Sequence, residues 1–185
     1  MTYSNEWLLD RLASGESFDY VYFWGHRPAK DGRITKSCLS QWYASPFTHE
    51  GRTYATAEHW MMWHKARIAG RPDIAEDILT DPDPRRAKAL GREAAGPRNP
   101  TWDAQKYPLV VQGNVLKFEQ NLQERIFLYD TGLDVLVEAS PFDPQWGIGM
   151  DQKTAEGLHP REWKGTNLLG YALMEAREEL RTVRR

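Results

Sequence analysis

The fold is decided by the stretch Thr56-Ala-Glu-His-Trp-Met-Met-Trp-His-Lys-Ala-Arg-Ile-Ala-Gly70, which predicts a long helix with both ends marked. Thr56 can cap the helix N-terminus with its hydroxyl, and Gly70 can end it, because glycine tolerates a left-handed backbone. Glu58 and Lys65 are seven residues apart, which places them on one face, about 10 Å apart along the axis. Their side chains can converge on one ligand, and a solvated helix face is the plainer alternative.

Further helices and short strands are predicted on both sides of this stretch. Helical spacing or capping residues mark four segments: 5–15, 84–91, 108–129 and 167–181. β-branched and aromatic residues predict strands at 18–24 and 133–139, and Gly51-Arg52 predicts a turn between short extended pieces. The sheet is therefore expected to be small.

Composition narrows the class of protein. A chain of 185 residues fits one domain. A net charge of -2 argues against a protein whose main task is to neutralise a phosphate backbone. Eight Trp, eight Tyr and six Phe can line a pocket for a planar base, or simply build a rich core. The only cysteine, Cys38, cannot form an internal disulfide, and no apolar run is long enough for a bilayer, so we expect a cytoplasmic protein without membrane contact.

Metal and cofactor motifs are weak. His59 and His64 are five residues apart and point about 140° away from each other, whereas a zinc helix needs two histidines four residues apart. Gly147-Ile-Gly149 lacks the third glycine and the strand-turn-helix context of a dinucleotide fingerprint. We therefore expect neither a metal nor a cofactor.

The segment 137–149 is the most informative loop, because a strand that ends in polar and aromatic residues is a common place for function. Asp143 can orient a water molecule, or it can cap the turn that it makes with Pro144. Trp146 beside Gly147 can offer a ring face to a base, or it can cover the core.

Ordered motifs extend over most of the chain, and with them the sequence resembles the NADAR, or YbiA-like, N-glycosidase family. The motifs are Phe23-Trp-Gly-His26, Leu39-Ser-Gln-Trp-Tyr-Ala-Ser-Pro-Phe47, Tyr54-Ala-Thr-Ala-Glu-His-Trp-Met-Met62, Lys65-Ala66, Ala87-Lys-Ala-Leu-Gly-Arg92, Trp102, Gly113-Asn114, Lys117-Phe-Glu-Gln-Asn121, 137–149 and 163–174. The sequence departs from the family at Gln41-Trp42, usually Asn-Phe, and at Ala44, usually proline. These departures bear on substrate preference.

The resemblance implies a mainly α fold with a small antiparallel β component. We expect a single YbiA-like domain over 1–185, in which the resemblance covers about 23–177 and residues 1–17 form a helical extension. The resemblance further implies that the catalytic residues are Glu58, Lys65, Asp143 and Trp102. Together with side-chain chemistry it predicts these substrate-binding residues: Phe23, Gly25, His26, Trp42, Tyr43, Met62, Arg92, Asn121, Trp146, Gly147 and Asn167. Lys88 and Arg92 can hold a phosphate, and Asn121 and Asn167 can read base or ribose edges or cap helices.

The sequence leaves three possible functions. The first is hydrolysis of an N-glycosidic bond in early riboflavin-pathway intermediates, which are ribosylamino-pyrimidine phosphates. The second is a hydrolase that removes ADP-ribose from guanosine in nucleic acid, and the third is a non-catalytic ADP-ribose-binding module. The first is favoured, with a small nucleotide-like molecule as the partner. Acid and base groups occurring together favour an enzyme over a binder.

Overall fold

The computed structural model describes residues 1–96 and 98–182. Helices alternate with four short strands, and two 3-10 turns lie at Lys36–Leu39 and Pro160–Glu162. In chain order the elements are α1 (Asn5–Ala13), β1 (Tyr20–Phe23), β2 (Phe47–His49), β3 (Arg52–Tyr54), α2 (Ala57–Ile68), α3 (Pro72–Ile78), α4 (Pro84–Ala95), α5 (Pro100–Gln120), α6 (Leu122–Asp130), β4 (Val135–Glu138), α7 (Gln152–Ala155) and α8 (Leu168–Thr182). The fold is mainly α with a small β component, as predicted.

The helix that decides the fold forms as its ends predict. The Thr56 side chain accepts a hydrogen bond from the His59 N–H, and Gly70, at φ 74°, follows the last turn of α2. The polar and apolar residues of its first two turns are buried alike, Glu58 included. This helix therefore runs through the interior, which excludes the alternative of a solvated face for Glu58.

The four strands form two separate pairs. β2 and β3 make the expected antiparallel hairpin around Gly51. β1 and β4 pair in parallel, with Tyr20 opposite Val135 and Phe23 opposite Glu138. This parallel pair is not readable from local patterns, because its strands are more than a hundred residues apart. It brings the carboxyl ends of both strands to one edge, where loops commonly form a binding site.

Several helix boundaries differ from the sequence prediction. Gly91 was expected to end the helix after Pro84, yet α4 continues to Ala95, and Gly96, at φ 56°, follows it. The helix predicted over 108–129 begins earlier, at Pro100, and is broken at Asn121 into α5 and α6. Packing against α2 explains why Gly91 lies inside α4, whereas the earlier start of α5 follows from a local cap, because the Asn99 side chain accepts from the Thr101 and Trp102 N–H groups.

Gly91 does not end α4 but lets α4 pack closely against α2. A Cβ atom at this position would lie 2.3 Å from Met62 Sδ, so α4 can approach α2 this closely only because position 91 has no side chain. Gly113 on α5 plays the same part against Trp60 of α2, whose ring carbon Cδ1 would lie 2.4 Å from such a Cβ. Both glycines hold α2 tightly between its neighbours. None of the described helices combines the length and the apolar character needed to cross a bilayer.

Candidate active site

A cleft of about 910 Å³ lies between α2 and α4 on one side and the carboxyl ends of β1 and β4 on the other. We call the first side the helical wall, lined by Glu58, Met61, Met62, Lys65, Lys88 and Arg92. We call the second the strand-end wall, lined by Trp24, Gly25, His26, Arg27, Glu138, Ser140, Phe142, Asp143, Gln145 and Trp146. Further lining comes from Ser37, Ser40, Gln41, Trp42, Trp102 and Leu169. The volume falls in the range usual for small-molecule sites.

Glu58 is the buried carboxylate of the helical wall, with 5% of its surface exposed. Its backbone N–H donates to the Gln41 carbonyl oxygen at 2.9 Å, which ties the start of α2 to the segment that carries Trp42. Burial raises the pKa of Glu58, the charge of Asp143 adds to the shift, and Lys88 and Lys65 oppose it. The raised pKa favours the protonated carboxylic acid, which is the form that can donate a proton.

Lys65 lies two turns further along the same helical wall and is half-buried. Its Nζ is 5.7 Å from the centre of the Trp102 ring, within reach of a cation–π contact. Burial lowers the pKa of Lys65, and the charges of Arg92 and Lys88 lower it further, whereas Glu58 raises it. A lysine in such surroundings loses its proton more readily and becomes a better nucleophile.

Asp143 lines the strand-end wall and caps the turn that follows it, which is one of the two roles that the sequence left open. Its Oδ1 accepts hydrogen bonds from the backbone N–H groups of Gln145 at 3.0 Å and Trp146 at 2.8 Å, so it caps the turn after Pro144. The same residue lines the cleft. The turn therefore fixes the carboxylate at the cleft surface.

Glu138, the last residue of β4, is a cleft residue that the sequence analysis did not single out. Its Oε2 is buried and has no hydrogen-bond partner among the described residues. Burial raises its pKa to about 8, with Asp143 and Glu58 adding to the shift and Lys88 opposing it. The available signal was an acidic residue at the end of an apolar strand, five positions before Asp143.

Cations and aromatic rings complete the lining. Lys88 Nζ lies 5.5 Å from the centre of the Trp42 ring, and the His26 ring is 5.5 Å from the same indole. Burial lowers the pKa of His26, and Arg85 and Arg27 lower it further, so the neutral imidazole is favoured. Trp24 and Phe142, which the sequence analysis also did not select, form an exposed pair at the cleft with ring centres 6.2 Å apart.

Ten of the fifteen predicted site residues line this one cleft: Glu58, Lys65, Trp102, Asp143, Gly25, His26, Trp42, Met62, Arg92 and Trp146. The other five, Phe23, Tyr43, Asn121, Gly147 and Asn167, are not among the residues that line the cleft. Asn121 Nδ2 donates to the carbonyl oxygens of Lys117 and Pro46, at the break between α5 and α6. Asn167 Nδ2 donates to the Leu136 oxygen, and its Oδ1 accepts from the Glu138 N–H.

The remaining three of these five residues are used in packing. Phe23 is 1% exposed in the core, and Tyr43 is 6% exposed with Lys117 Nζ 6.0 Å from its ring centre. A Cβ atom at Gly147 would lie 2.7 Å from the Glu138 carbonyl oxygen, so its glycine is required by backbone packing. These three residues therefore belong to the packing beneath the cleft and not to its lining.

The two histidines of α2 have structural roles. Thr56 Oγ1 lies 2.8 Å from His59 Nδ1, and the Asp81 carbonyl oxygen lies 2.8 Å from His59 Nε2. His64 packs against the Trp60 ring at 4.2 Å between centres. Within 1–96 and 98–182, no group of three or more histidine, cysteine or carboxylate side chains could hold a metal ion.

This arrangement suits hydrolysis of a bond between a sugar and a nitrogen base. A buried carboxylic acid can protonate the leaving group, and a second carboxylate across the cleft can activate water or stabilise positive charge on the sugar. The rings offer flat apolar surface to a base, and Lys88 and Arg92 offer positive charge to a phosphate. Fold and site together therefore describe a glycosidase-like hydrolase.

Comparison with known proteins identifies the family. The family model described as the NADAR domain matches residues 22–181. N-glycosidase R617 of Acanthamoeba polyphaga mimivirus is 38% identical over 170 residues, covering 89% of this chain and 98% of that protein. N-glycosidase YbiA of Escherichia coli K12 is 32% identical over 142 residues, covering 77% of this chain and 80% of that protein. The NMR structure of E. coli YbiA matches with a TM-score of 0.72 at 26% identity, covering 91% of this chain and 89% of that one.

The chain belongs to the NADAR family. It is a hydrolase that acts on N-glycosidic bonds, as its curated relatives are. The fold resemblance stated from the sequence motifs is thereby confirmed.

Proposed function

We propose that this enzyme hydrolyses the N-glycosidic bond of ribosylamino-pyrimidine phosphates, the early intermediates of riboflavin synthesis. The observation that carries the proposal is the pairing of Glu58 with Asp143 across one aromatic-lined cleft that also contains Lys88 and Arg92. A planar base, a ribose and a phosphate each find a matching surface there. The volume of about 910 Å³ is sufficient for such a molecule.

In the proposed reaction, protonated Glu58 donates its proton to the departing nitrogen as the bond from that nitrogen to the anomeric carbon breaks. Water adds to the anomeric carbon, and Asp143 accepts the proton that the water loses. The products are the free amine and the ribose phosphate. Exchange of one proton with solvent returns Glu58 and Asp143 to their starting forms.

A second route to the same products uses Lys65. A ribosylamine can open its ring to an imine, and neutral Lys65 can then attack the former anomeric carbon and displace the base as an amine. Water hydrolyses the resulting Schiff base and releases the sugar. The lowered pKa of Lys65 supports this route. Treatment with borohydride during turnover should add the mass of the reduced sugar to Lys65, and the absence of this adduct would exclude the route.

A second candidate substrate is ADP-ribosylated guanosine. It is supported by the exposed pair Trp24 and Phe142, which adds flat apolar surface at the cleft beyond what one base requires. A nucleic-acid form of this substrate predicts binding that weakens steeply with salt.

The two substrates are separated by one experiment. Mass spectrometry would follow 5-amino-6-ribosylaminouracil phosphate and ADP-ribosylated guanosine, each incubated with the wild-type enzyme and with Glu58→Gln as the inactive control. Release of base and ribose phosphate from the first compound by the wild type alone supports the proposal. Cleavage of the second compound only would transfer the assignment to it, and cleavage of neither would overturn both.

A further inference from the structure

Glu138 is a carboxyl group that the proposed reaction does not use. It lines the cleft, but its Oε2 is buried and has no hydrogen-bond partner among residues 1–96 and 98–182. A buried polar atom without a partner is costly, and one that belongs to a cleft residue points to a functional role.

The backbone around Glu138 is held on both sides. Its N–H donates to Asn167 Oδ1 at 3.0 Å, and its carbonyl oxygen accepts from the Ile148 N–H at 2.9 Å. Parallel pairing with Phe23 of β1 adds the strand contact. The backbone that carries this carboxyl group is therefore held in place at the strand end, where the residue lines the cleft.

Three charged groups that line the same cleft act on the pKa of Glu138. They are Asp143 on its own loop, Glu58 on α2 and Lys88 on α4. The first two are the carboxylates that act at the anomeric carbon in the proposed reaction. Because Glu138 lines the same cleft as these two carboxylates, we place it beside that carbon, where the adjacent hydroxyl of a bound ribose is the 2′-hydroxyl.

We propose that Glu138 is a specificity-determining residue that binds the ribose 2′-hydroxyl of the substrate through its carboxyl group. The inference rests on the proposed function, since it requires a ribosyl substrate in this cleft. A carboxylic acid can donate one hydrogen bond and accept another, so it matches a hydroxyl, which can do the same. Burial and the two neighbouring carboxylates hold Glu138 in that acid form near neutral pH, because they raise its pKa to about 8.

Such a contact has two consequences. Hydrogen bonds to the hydroxyl beside the anomeric carbon strengthen in the transition state of glycoside hydrolysis, so the contact should act on kcat as well as on KM. A site built to bind a hydroxyl also discriminates strongly against the analogue that lacks it. The enzyme should therefore discriminate against 2′-deoxyribosyl compounds.

The test compares a ribosyl substrate with its 2′-deoxyribosyl analogue, with kcat/KM measured for both on the wild type, Glu138→Ala and Glu138→Gln. Because deoxyribosyl bonds differ in intrinsic lability, the quantity compared is the change in the ribosyl-to-deoxyribosyl ratio between enzymes. We expect Glu138→Ala to lower this ratio at least ~10-fold by slowing the ribosyl reaction alone. Glu138→Gln should keep part of the ratio, since an amide also donates and accepts.

Glu93→Gln, a change of an exposed carboxylate on α4 away from the cleft, is the control and should leave both rates unchanged. A Glu138→Ala enzyme that folds and keeps the wild-type ratio would overturn the inference while leaving the proposed function intact. Should Glu138→Ala fail to fold, an unchanged ratio and an unchanged kcat in Glu138→Gln would overturn it equally. A wild type that cleaves no ribosyl substrate would instead overturn the proposed function.

Discussion

The charged groups of the helical wall and of the strand-end wall are positioned by different kinds of interaction. Glu58 and Lys65 share one face of α2 because of the helical repeat, and Gly91 lets α4 close against that face. Glu138 and Asp143 meet them only because β4 pairs in parallel with β1, far away in the sequence. Local periodicity therefore locates one wall, whereas a long-range contact builds the other.

The largest effect should come from the helical wall. Substituting Glu58 by Gln keeps the size of the side chain and removes its proton, so kcat should fall at least ~100-fold if Glu58 protonates the leaving group. Release of free base, measured at substrate saturation, checks this. A rate within a few fold of wild type would contradict the role given to Glu58 and shift the acid function to the strand-end wall.

The strand-end wall is tested by Asp143→Asn. Asparagine keeps an Oδ1 that can accept from the Gln145 and Trp146 N–H groups, so the turn should persist while the negative charge is lost. We expect a fall in kcat of ~10–100-fold with little change in the melting temperature. Asp143→Ala is the matched comparison, because it removes the charge and the cap together. Equal activity of wild type and Asp143→Asn would show that the residue only caps the turn.

The contact between α2 and α4 is tested by Gly91→Ala. The added Cβ would meet Met62 Sδ at 2.3 Å and its Cβ at 3.0 Å, so the helices must separate slightly. Overpacking of this kind typically costs about 1–3 kcal/mol in the free energy of unfolding. Denaturant unfolding measures the loss, and KM should rise several-fold because Lys88 and Arg92 move with α4.

The smallest effect concerns stability and pH at Glu138. The folded protein holds this proton up to a pKa of about 8, whereas the unfolded chain releases it near the ordinary value for glutamate, about 4.3. The unfolded state therefore binds fewer protons between these values, and the contribution of Glu138 to stability falls as pH rises through this window. Glu138→Gln removes this penalty.

The melting temperature of Glu138→Gln should thus exceed that of wild type by an amount that grows from pH 5 to pH 8, reaching about 3 °C or more. Thermal unfolding at several pH values measures the difference. A constant difference over this range would mean that Glu138 is ionised in the folded protein at neutral pH. The gain in stability at the expense of activity is typical of residues kept for function.

Much of the fold was accessible from the sequence because its signals are local. Thr56 and Gly70 bound α2, and the Gly51 turn bounds the hairpin, through capping and backbone preferences that act within a few residues. The break at Asn121 was missed because the apolar pattern continues across it. Its side chain ends α5 by bonding to the Lys117 oxygen and to the distant Pro46 oxygen.

The sequence by itself determined the mainly α class, the family motifs and the helix face that Glu58 and Lys65 share. Only the tertiary structure decided which polar residues reach the cleft: it brought Glu138 in and turned Asn167 toward the backbone of β4. The physical reason is the range of the interactions. Helix spacing and caps depend on neighbours in the chain, whereas the parallel β1–β4 pairing and the burial that shifts the pKa of Glu138 depend on residues brought together from distant parts of it.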